Sequence, residues 1–144
     1  MKTLLIIPAY NEEKNILKVI DMIKEQCPEA DYLVVNDCSK DDTQALLKEH
    51  GAEYVNCPVN LGIGGAVQTG YRYALENDYD VAIQVDGDGQ HDVSFVSKMV
   101  KEIEEGRADI VIGKQGRVAK AIRTIVYSAA GGHQKKKTYV DILD

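Results

Sequence analysis

Short, mostly apolar runs alternate with segments of helical periodicity along most of this chain of 144 residues. The runs lie at 3–7, 32–35, 53–56, 81–85 and 109–112. Strands buried on both faces of a sheet appear as continuous apolar runs, and parallel neighbours need a crossover between them. The alternation therefore predicts an α/β fold, with a mostly parallel, Rossmann-like sheet and helices on both of its faces.

The segments between the runs predict the helices. Ile16, Ile20 and Ile23 recur at helical spacing, and the pair Cys27-Pro28 ends that helix. Three further helices are predicted over 43–50, 60–77 and 95–105. Beyond the fifth run, residues 118–130 predict one amphipathic helix, and a polar tail follows it to the end of the chain.

Size, charge and cysteine content limit the class of protein. The length suits one domain, and a net charge of −6 argues against a nucleic-acid surface. Three cysteines without CxxC spacing argue against a disulfide framework or a zinc site, and they fit a reducing cytoplasm. No stretch approaches the roughly 20 apolar residues of a membrane span, so the chain is expected to be soluble.

Three polar loops follow predicted strands, at 8–12, 36–42 and 86–92. Ligands of open α/β sheets bind beyond the carboxyl ends of the strands, where such loops meet. Each loop alone is also compatible with helix capping, and for residues 39–43 capping is the preferred interpretation. Together the three loops favour a pocket for a nucleotide and a metal ion.

The third loop carries two carboxylates, Asp86 and Asp88, separated by one glycine. In extended backbone, residues two apart point to the same side, so both carboxylates converge on one point. Hard cations such as Mg²⁺ or Mn²⁺ take these oxygens and accept phosphate oxygens as further ligands. The alternative is an acidic, glycine-rich turn that caps the helix beginning near Asp92 or Ser94.

Other polar positions carry weaker signals. Tyr10 is placed to stack on a base, with ordinary packing as the alternative, and Asp37 is placed to accept hydrogen bonds from a base or a ribose. The glycines of 62–67 only superficially match the dinucleotide pattern, because Val67 replaces the third glycine. A helix N-terminus at that place would still favour anionic groups. His91 is interpreted as an ordinary loop residue.

Four motifs in register resemble those of one family. They are Pro8 to Glu12, Val34 to Thr43, Asn60 to Tyr71 and Asp86 to Asp92. Over residues 3–113 the chain resembles the nucleotide-binding half of a family 2 glycosyltransferase with a GT-A fold. The resemblance is to the polyprenyl-phosphate branch, which includes dolichol-phosphate mannosyltransferases.

The resemblance implies a donor site, a metal site and an activity. It implies nucleotide-sugar contacts from Pro8, Ala9, Tyr10, Glu12, Val35, Asp37, Asn60, Gly64, Asp86, Gly87 and Asp88. It implies that Asp86, Asp88 and Gln90 hold Mg²⁺ or Mn²⁺. The implied reaction is inverting transfer of a sugar from a UDP- or GDP-linked donor to a polyprenyl phosphate or a saccharide, in the cytoplasm or at the cytoplasmic face of a membrane. No catalytic base is assigned.

The chain departs from the family pattern in two places. Gln115 stands where an arginine that helps to hold phosphates is expected, and Lys114, Arg117 and Arg123 are candidate substitutes. Family members also continue beyond the point that corresponds to Asp144. The chain is therefore expected to be truncated, with a core at 1–113 and a remnant of the acceptor-side region at 114–144.

Two other functions compete with the transferase hypothesis. One is a non-catalytic nucleotide-sugar-binding module or a scaffold, which the short C-terminal region favours and which would fit a homo-oligomer. The other is a sugar nucleotidyltransferase. That class carries a glycine-rich basic loop after its first strand, which the segment 8–12 does not provide.

Overall fold

The computed structural model describes residues 1–87, 93–107, 110–113, 120–123 and 140–143. The strands are β1 (Thr3–Ala9), β2 (Asp31–Asn36), β3 (Tyr54–Asn56), β4 (Val81–Gln84), β5 (Ile110–Gly113), β6 (Lys120–Arg123) and β7 (Val140–Leu143). The helices are α1 (Ile16–Gln26), α2 (Thr43–Glu49), α3 (Gly62–Glu76) and α4 (Phe95–Glu104). The five predicted strands and the four helices between them are therefore confirmed, with bounds that differ by at most a few residues.

The strands form one sheet in the order β3-β2-β1-β4-β6-β5-β7. β1 pairs in parallel with both β2 and β4, and β2 pairs in parallel with β3. β6 runs antiparallel to both of its neighbours, β4 and β5. The sheet is thus mostly parallel, as predicted, and β1 lies inside it with a parallel strand on each side.

Successive residues of β1 enter two separate cores. Leu5 and Ile7 belong to one cluster, together with buried residues of α1, α2 and α4. Leu4 and Ile6 belong to the other cluster, to which α3 contributes Ala66 and Ala74. The period of two along the strand explains the division, since alternate side chains point to opposite faces of a sheet.

The α3 face depends on a glycine in the middle of the helix. A Cβ at Gly70 would overlap the side chain of Ile6, which is fully buried in β1. Glycine lowers the stability of a helix, but here it lets the helix backbone approach the sheet closely. The close approach sets the position of α3, and with it the place of the N-terminus of the helix above the strand ends.

The prediction for the C-terminal region is wrong at two described places. Lys120–Arg123 is a strand within the segment predicted as helix, and Val140–Leu143 is a strand within the predicted polar tail. β4 offers an open edge, and pairing of β6 along that edge satisfies backbone hydrogen bonds in a way that local periodicity does not reveal. The rest of 114–144 lies outside the described residues, and the division at residue 113 stays a prediction.

None of the helices in the described ranges has the length and apolar character that crossing a bilayer requires.

Candidate functional site

The carboxyl ends of three neighbouring strands bring the predicted loops together. Beyond the end of β2, the N–H of Asp37 donates to the carbonyl of Ala9 at 2.8 Å. Beyond the end of β4, the N–H of Val85 donates to the carbonyl of Ile6 at 2.8 Å. These bonds continue the sheet pairing, so Asp37 and Asp86 flank the end of β1 from its two sides.

A cleft of about 320 Å³ lies at this edge of the sheet. It is lined by Pro8, Ala9, Tyr10, Glu12, Asp37, Ile63, Ala66, Asp86 and Gly87. Most of these residues come from the loops after β1, β2 and β4, and two come from the first turns of α3. The structure therefore places residues from all three predicted loops around one cavity.

Other predicted residues lie apart from the lining. Val35 is fully buried in the core on the α3 face. Asn60 makes two hydrogen bonds to the backbone. Its Nδ2 donates to the carbonyl of Asp37 at 3.3 Å, and its Oδ1 accepts the N–H of Gly62 at 3.1 Å. Gly64 is exposed in the first turn of α3. Asp88 and Gln90 lie outside the described residues.

Two lining residues, Ile63 and Ala66, are absent from the predicted site. They are three residues apart in α3, so they lie on one side of the helix. Ile63 is 65% exposed, although a large aliphatic side chain normally prefers burial. The available signal was an apolar residue between glycines at the start of a helix, whereas the contacts predicted from this segment were Asn60 and Gly64.

Asp37 lines the cavity, and its side chain has a fixed orientation. The residue is only 3% exposed, and its Oδ1 accepts the N–H of Leu61 at 2.7 Å. Burial, together with the charge of Asp37, raises the pKa of the nearby Cys57 thiol. The side chain thus has a defined orientation before any ligand arrives.

Tyr10 contrasts with Asp37 in its exposure. Its side chain lines the cavity and the residue is 43% exposed, so the alternative of ordinary buried packing is wrong. The residue follows β1 directly, where the strand leaves the sheet. An exposed aromatic ring at a cavity wall offers a face on which a planar ligand can stack.

The loop after β1 is joined to the loop after β2 by side-chain hydrogen bonds. The buried Thr43 Oγ1 accepts the N–H of Glu12 at 2.9 Å and donates to Asp41 Oδ1 at 2.5 Å. Nearby, Ser39 Oγ accepts the N–H of Asn11 at 3.0 Å, and Asn11 Oδ1 accepts the N–H of Lys40 at 2.8 Å. These residues hold the two loops at a fixed separation.

Helix capping was the preferred interpretation for residues 39–43, but the N-cap residue of α2, Asp42, makes no side-chain capping hydrogen bond, and the preceding residue, Asp41, contacts the helix instead. Its Oδ1 accepts the N–H of Thr43, the first residue of α2, at 3.0 Å. Partial burial acts to raise the pKa of Asp41, but hydrogen bonds from Thr43 and from the N–H of Glu13 outweigh it, and the pKa is lowered. The carboxylate is therefore stabilised in its charged form.

The loop after β4 approaches the loop after β1 very closely. A Cβ at Gly87 would lie 3.0 Å from the carbonyl oxygen of Pro8, closer than most such contacts. Glycine at this position allows the contact, and it brings the half-buried Asp86 to the cavity. Asp86 Oδ1 lies 3.5 Å from Gln84 Nε2.

Asp86 is the described member of the predicted metal set. Its carboxylate is a hard oxygen donor of the kind that Mg²⁺ and Mn²⁺ prefer, and it faces the cavity. Among the residues that the structure describes, no three His, Cys, Asp or Glu side chains form a group that could hold a metal ion. A site with three such ligands that includes Asp86 would therefore need at least one donor from outside the described residues.

Comparison with known proteins identifies related sequences over most of the chain. The sequence profile described as "Glycosyl transferase family 2" matches residues 4–139. An undecaprenyl-phosphate mannosyltransferase of Micrococcus luteus is 34% identical over 120 residues, which cover 80% of this chain and 49% of that protein. A polyprenol monophosphomannose synthase of Mycolicibacterium smegmatis is 32% identical over 120 residues, which cover 79% of this chain and 45% of that protein. The chain thus spans about half the length of these relatives.

Solved structures show the same fold at lower sequence identity. Glucosyl-3-phosphoglycerate synthase from Mycobacterium tuberculosis, in complex with Mn²⁺, uridine diphosphate and phosphoglyceric acid, gives a TM-score of 0.68 at 22% identity, covering 85% of this chain and 56% of that one. TarS 1-349 of S. aureus in complex with UDP gives 0.66 at 20% identity, covering 86% and 47%. These are GT-A folds, so the predicted fold class is confirmed.

Proposed function

We propose, since the chain belongs to glycosyl transferase family 2, that its cavity binds a nucleotide-diphospho-sugar and that the sugar is transferred from there to an acceptor. The observation that supports the proposal is the cleft at the carboxyl ends of β1, β2 and β4. It combines exposed apolar side chains with three carboxylates, Glu12, Asp37 and Asp86. Apolar side chains suit a planar base, and carboxylates suit a divalent cation that would bind the diphosphate of a nucleotide-sugar.

The base is assigned to the part of the cavity formed by Tyr10, Asp37 and Ile63. Tyr10 and Ile63 are 43% and 65% exposed, so their apolar surface is available for contact with a ring. Burial of that surface against a base would contribute to affinity in proportion to its area. Asp37, fixed by Leu61, would accept a hydrogen bond from the edge of the base.

The diphosphate is assigned to the side of the cavity near Asp86 and Gly87. Two carboxylates near a diphosphate would repel it, and a divalent cation removes this repulsion. Asp86, with Asp88 and Gln90, would hold Mg²⁺ or Mn²⁺. When bound, the cation would neutralise the negative charge that develops on the departing diphosphate.

The acceptor is proposed from the relatives. Two of them are named for transfer to undecaprenyl phosphate and for synthesis of a polyprenol monophosphate sugar. We therefore assign a polyprenyl phosphate as the acceptor, with a saccharide as the second choice. Attack of the acceptor oxygen on the anomeric carbon, opposite the leaving diphosphate, would invert the configuration of that carbon.

A second candidate function is donor binding without transfer. It rests on the cleft of about 320 Å³, because its lining by residues from the loops after β1, β2 and β4 supports binding of a donor and does not by itself imply transfer.

Calorimetric titration with UDP and GDP, each with Mn²⁺ and with a chelator, tests the donor site. We expect one nucleotide to bind with Mn²⁺ and to lose affinity of about a hundredfold in Asp86→Asn, since one charged metal ligand is removed. Asp42→Asn is the matched control, because Asp42 is an exposed carboxylate that is not among the residues lining the cavity. Absence of binding to a folded sample would contradict the proposal.

Transfer is tested separately from binding. The protein is incubated with Mn²⁺, a radiolabelled nucleotide-sugar and an undecaprenyl phosphate in detergent, and the lipid fraction is counted. Label in the lipid fraction supports the transferase. Binding in the calorimeter without labelled lipid or saccharide supports the second candidate function.

A further inference from the structure

We propose that the buried Asn36 is a positioning residue, which orients the ring of Tyr10 at the cavity through a series of side-chain hydrogen bonds. The inference rests on the proposed function, since Tyr10 is one of the residues assigned there to the base. Asn36 lies at the end of β2, is only 1% exposed and is not among the residues lining the cavity. Any effect of this residue on a ligand therefore has to pass through other residues.

The side-chain amide of Asn36 has partners at both of its ends. Its Nδ2 donates to Oδ1 of Asn56, the last residue of β3, at 2.8 Å. Its Oδ1 accepts the hydroxyl of Ser39 at 2.5 Å and the N–H of the same residue at 3.3 Å. The buried amide has one preferred orientation, because turning it over would place its amino group against the N–H of Ser39.

The hydroxyl of Ser39 connects this amide to the loop after β1. Because the hydroxyl donates its hydrogen to Asn36, its lone pairs are available to another donor, and the N–H of Asn11 donates to it at 3.0 Å. Asn11 Oδ1 in turn accepts the N–H of Lys40 at 2.8 Å. The backbone of Asn11 is thus joined to the loop after β2 at two points, and one of them depends on the orientation of Asn36.

Asn11 adopts a backbone conformation that needs this support. Its φ is +53°, in the left-handed region that residues other than glycine rarely occupy. Asparagine tolerates this region better than most residues, and its two hydrogen bonds hold it there. The turn follows Tyr10 directly, so it fixes the direction in which the chain leaves β1.

The position of the Tyr10 ring depends on this turn. The residue is 43% exposed, so packing restrains its ring less than that of a core residue and the backbone largely sets where the ring lies. A ring that is held in place before a ligand arrives binds more tightly, because less freedom is lost on binding. Loss of the hydrogen-bond series should therefore weaken nucleotide binding, and only while the ring is present.

A double-mutant cycle on nucleotide affinity tests the inference, measured by calorimetric titration with UDP and GDP in Mn²⁺. Ser39→Ala breaks the series at a half-buried residue, and Tyr10→Ala removes the ring. For the nucleotide that binds the wild type, we expect about a tenfold loss in Tyr10→Ala, the effect of one stacking contact, and about a three- to fivefold loss in Ser39→Ala. In the double variant, we expect the affinity to fall by less than about 1.5-fold beyond Tyr10→Ala alone.

Three further variants sharpen the test. Asn36→Ala should weaken binding as much as Ser39→Ala, and the two together no more than either alone, because both break the same series. Ser39→Thr keeps the hydroxyl and should recover most of the affinity that Ser39→Ala loses. Asn77→Ala is the control, since Asn77 Nδ2 donates to the carbonyl of Tyr73 at 2.8 Å at the end of α3 that lies away from the cavity. Thermal unfolding monitored by circular dichroism checks that each variant is folded.

The outcomes separate this inference from the proposed function. If Ser39→Ala weakens binding equally with and without the Tyr10 ring, its effect does not pass through the ring, so the inference is wrong and the proposed function stands. Unchanged affinity in a folded Ser39→Ala would also overturn it. If no nucleotide binds to folded wild-type protein, the proposed function fails and the inference fails with it.

Discussion

The two sides of the cavity differ in how their polar and apolar groups are used. On one side, the loops after β1 and β2 join through Asn11, Ser39, Asp41 and Thr43, whose side chains have protein partners. On the other side, the head of α3 exposes apolar surface at Ile63. We call these the hydrogen-bonded side and the open side. The difference indicates that much of the polar motif after β1 and β2 builds the site, while the open side supplies contact area for a ligand.

We expect the largest effect when the hydroxyl group of Thr43 is removed from the hydrogen-bonded side. Thr43→Val keeps the shape of the fully buried side chain but leaves the N–H of Glu12 and the carboxylate of Asp41 without this partner. We expect the free energy of unfolding to fall by about 2 kcal/mol, measured by urea denaturation. Thr69→Val is the control, since Thr69 Oγ1 makes one hydrogen bond to the Gly65 carbonyl of its own helix. An equal loss in both variants would contradict the structural role of Thr43.

The next effect is expected at Gly87, where the loop after β4 meets β1. Gly87→Ala places a methyl group 3.0 Å from the carbonyl oxygen of Pro8, so the backbone must shift. We expect a loss of about 1 to 2 kcal/mol in unfolding free energy, together with weaker nucleotide binding as Asp86 moves. Gly64→Ala is the control for the stability measurement, because its Cβ would meet no described atom within 4 Å and alanine favours the helix. A stable Gly87→Ala with unchanged binding would show that the close approach has no role.

A smaller effect is expected on the open side itself. Ile63→Ala removes apolar surface from the cavity wall, and we expect nucleotide affinity to fall about three- to tenfold, with unfolding free energy within about 0.5 kcal/mol of wild type. Val59→Ala is the matched control, since Val59 is 58% exposed and does not line the cavity. If Val59→Ala weakened binding as much as Ile63→Ala, the two sides would not differ as proposed.

The smallest effect concerns pH. Asp41 has a lowered pKa in the folded protein, so its charged form is favoured by folding. The resulting stability is present above the unfolded pKa, near pH 4, and is lost as pH falls through the lower folded value. We expect Asp41→Asn to be less stable than wild type at pH 7, with a difference that shrinks toward pH 3. Urea denaturation of both proteins at the two pH values measures this, and a constant difference would contradict the assignment.

Part of the cavity lining was predictable from sequence, at motif residues that come just after a strand. Tyr10, Asp37 and Asp86 each come after a strand of the parallel sheet, and the rule that ligands bind at carboxyl ends brought them together. Val35 was assigned by resemblance, and the structure places it in the core. Ile63 was missed because its exposure depends on how α3 lies over the sheet, which local sequence does not state.

The sequence by itself determined the elements from β1 to β5, because apolar runs and helical periods are local signals that each segment carries. It also determined the family. Tertiary structure alone decided that Lys120–Arg123 is a strand, since the partner edge of β4 lies far away in the chain. It also decided which group holds Asp37 in place, because the hydrogen bond from the N–H of Leu61 exists only once β2 and α3 have packed together.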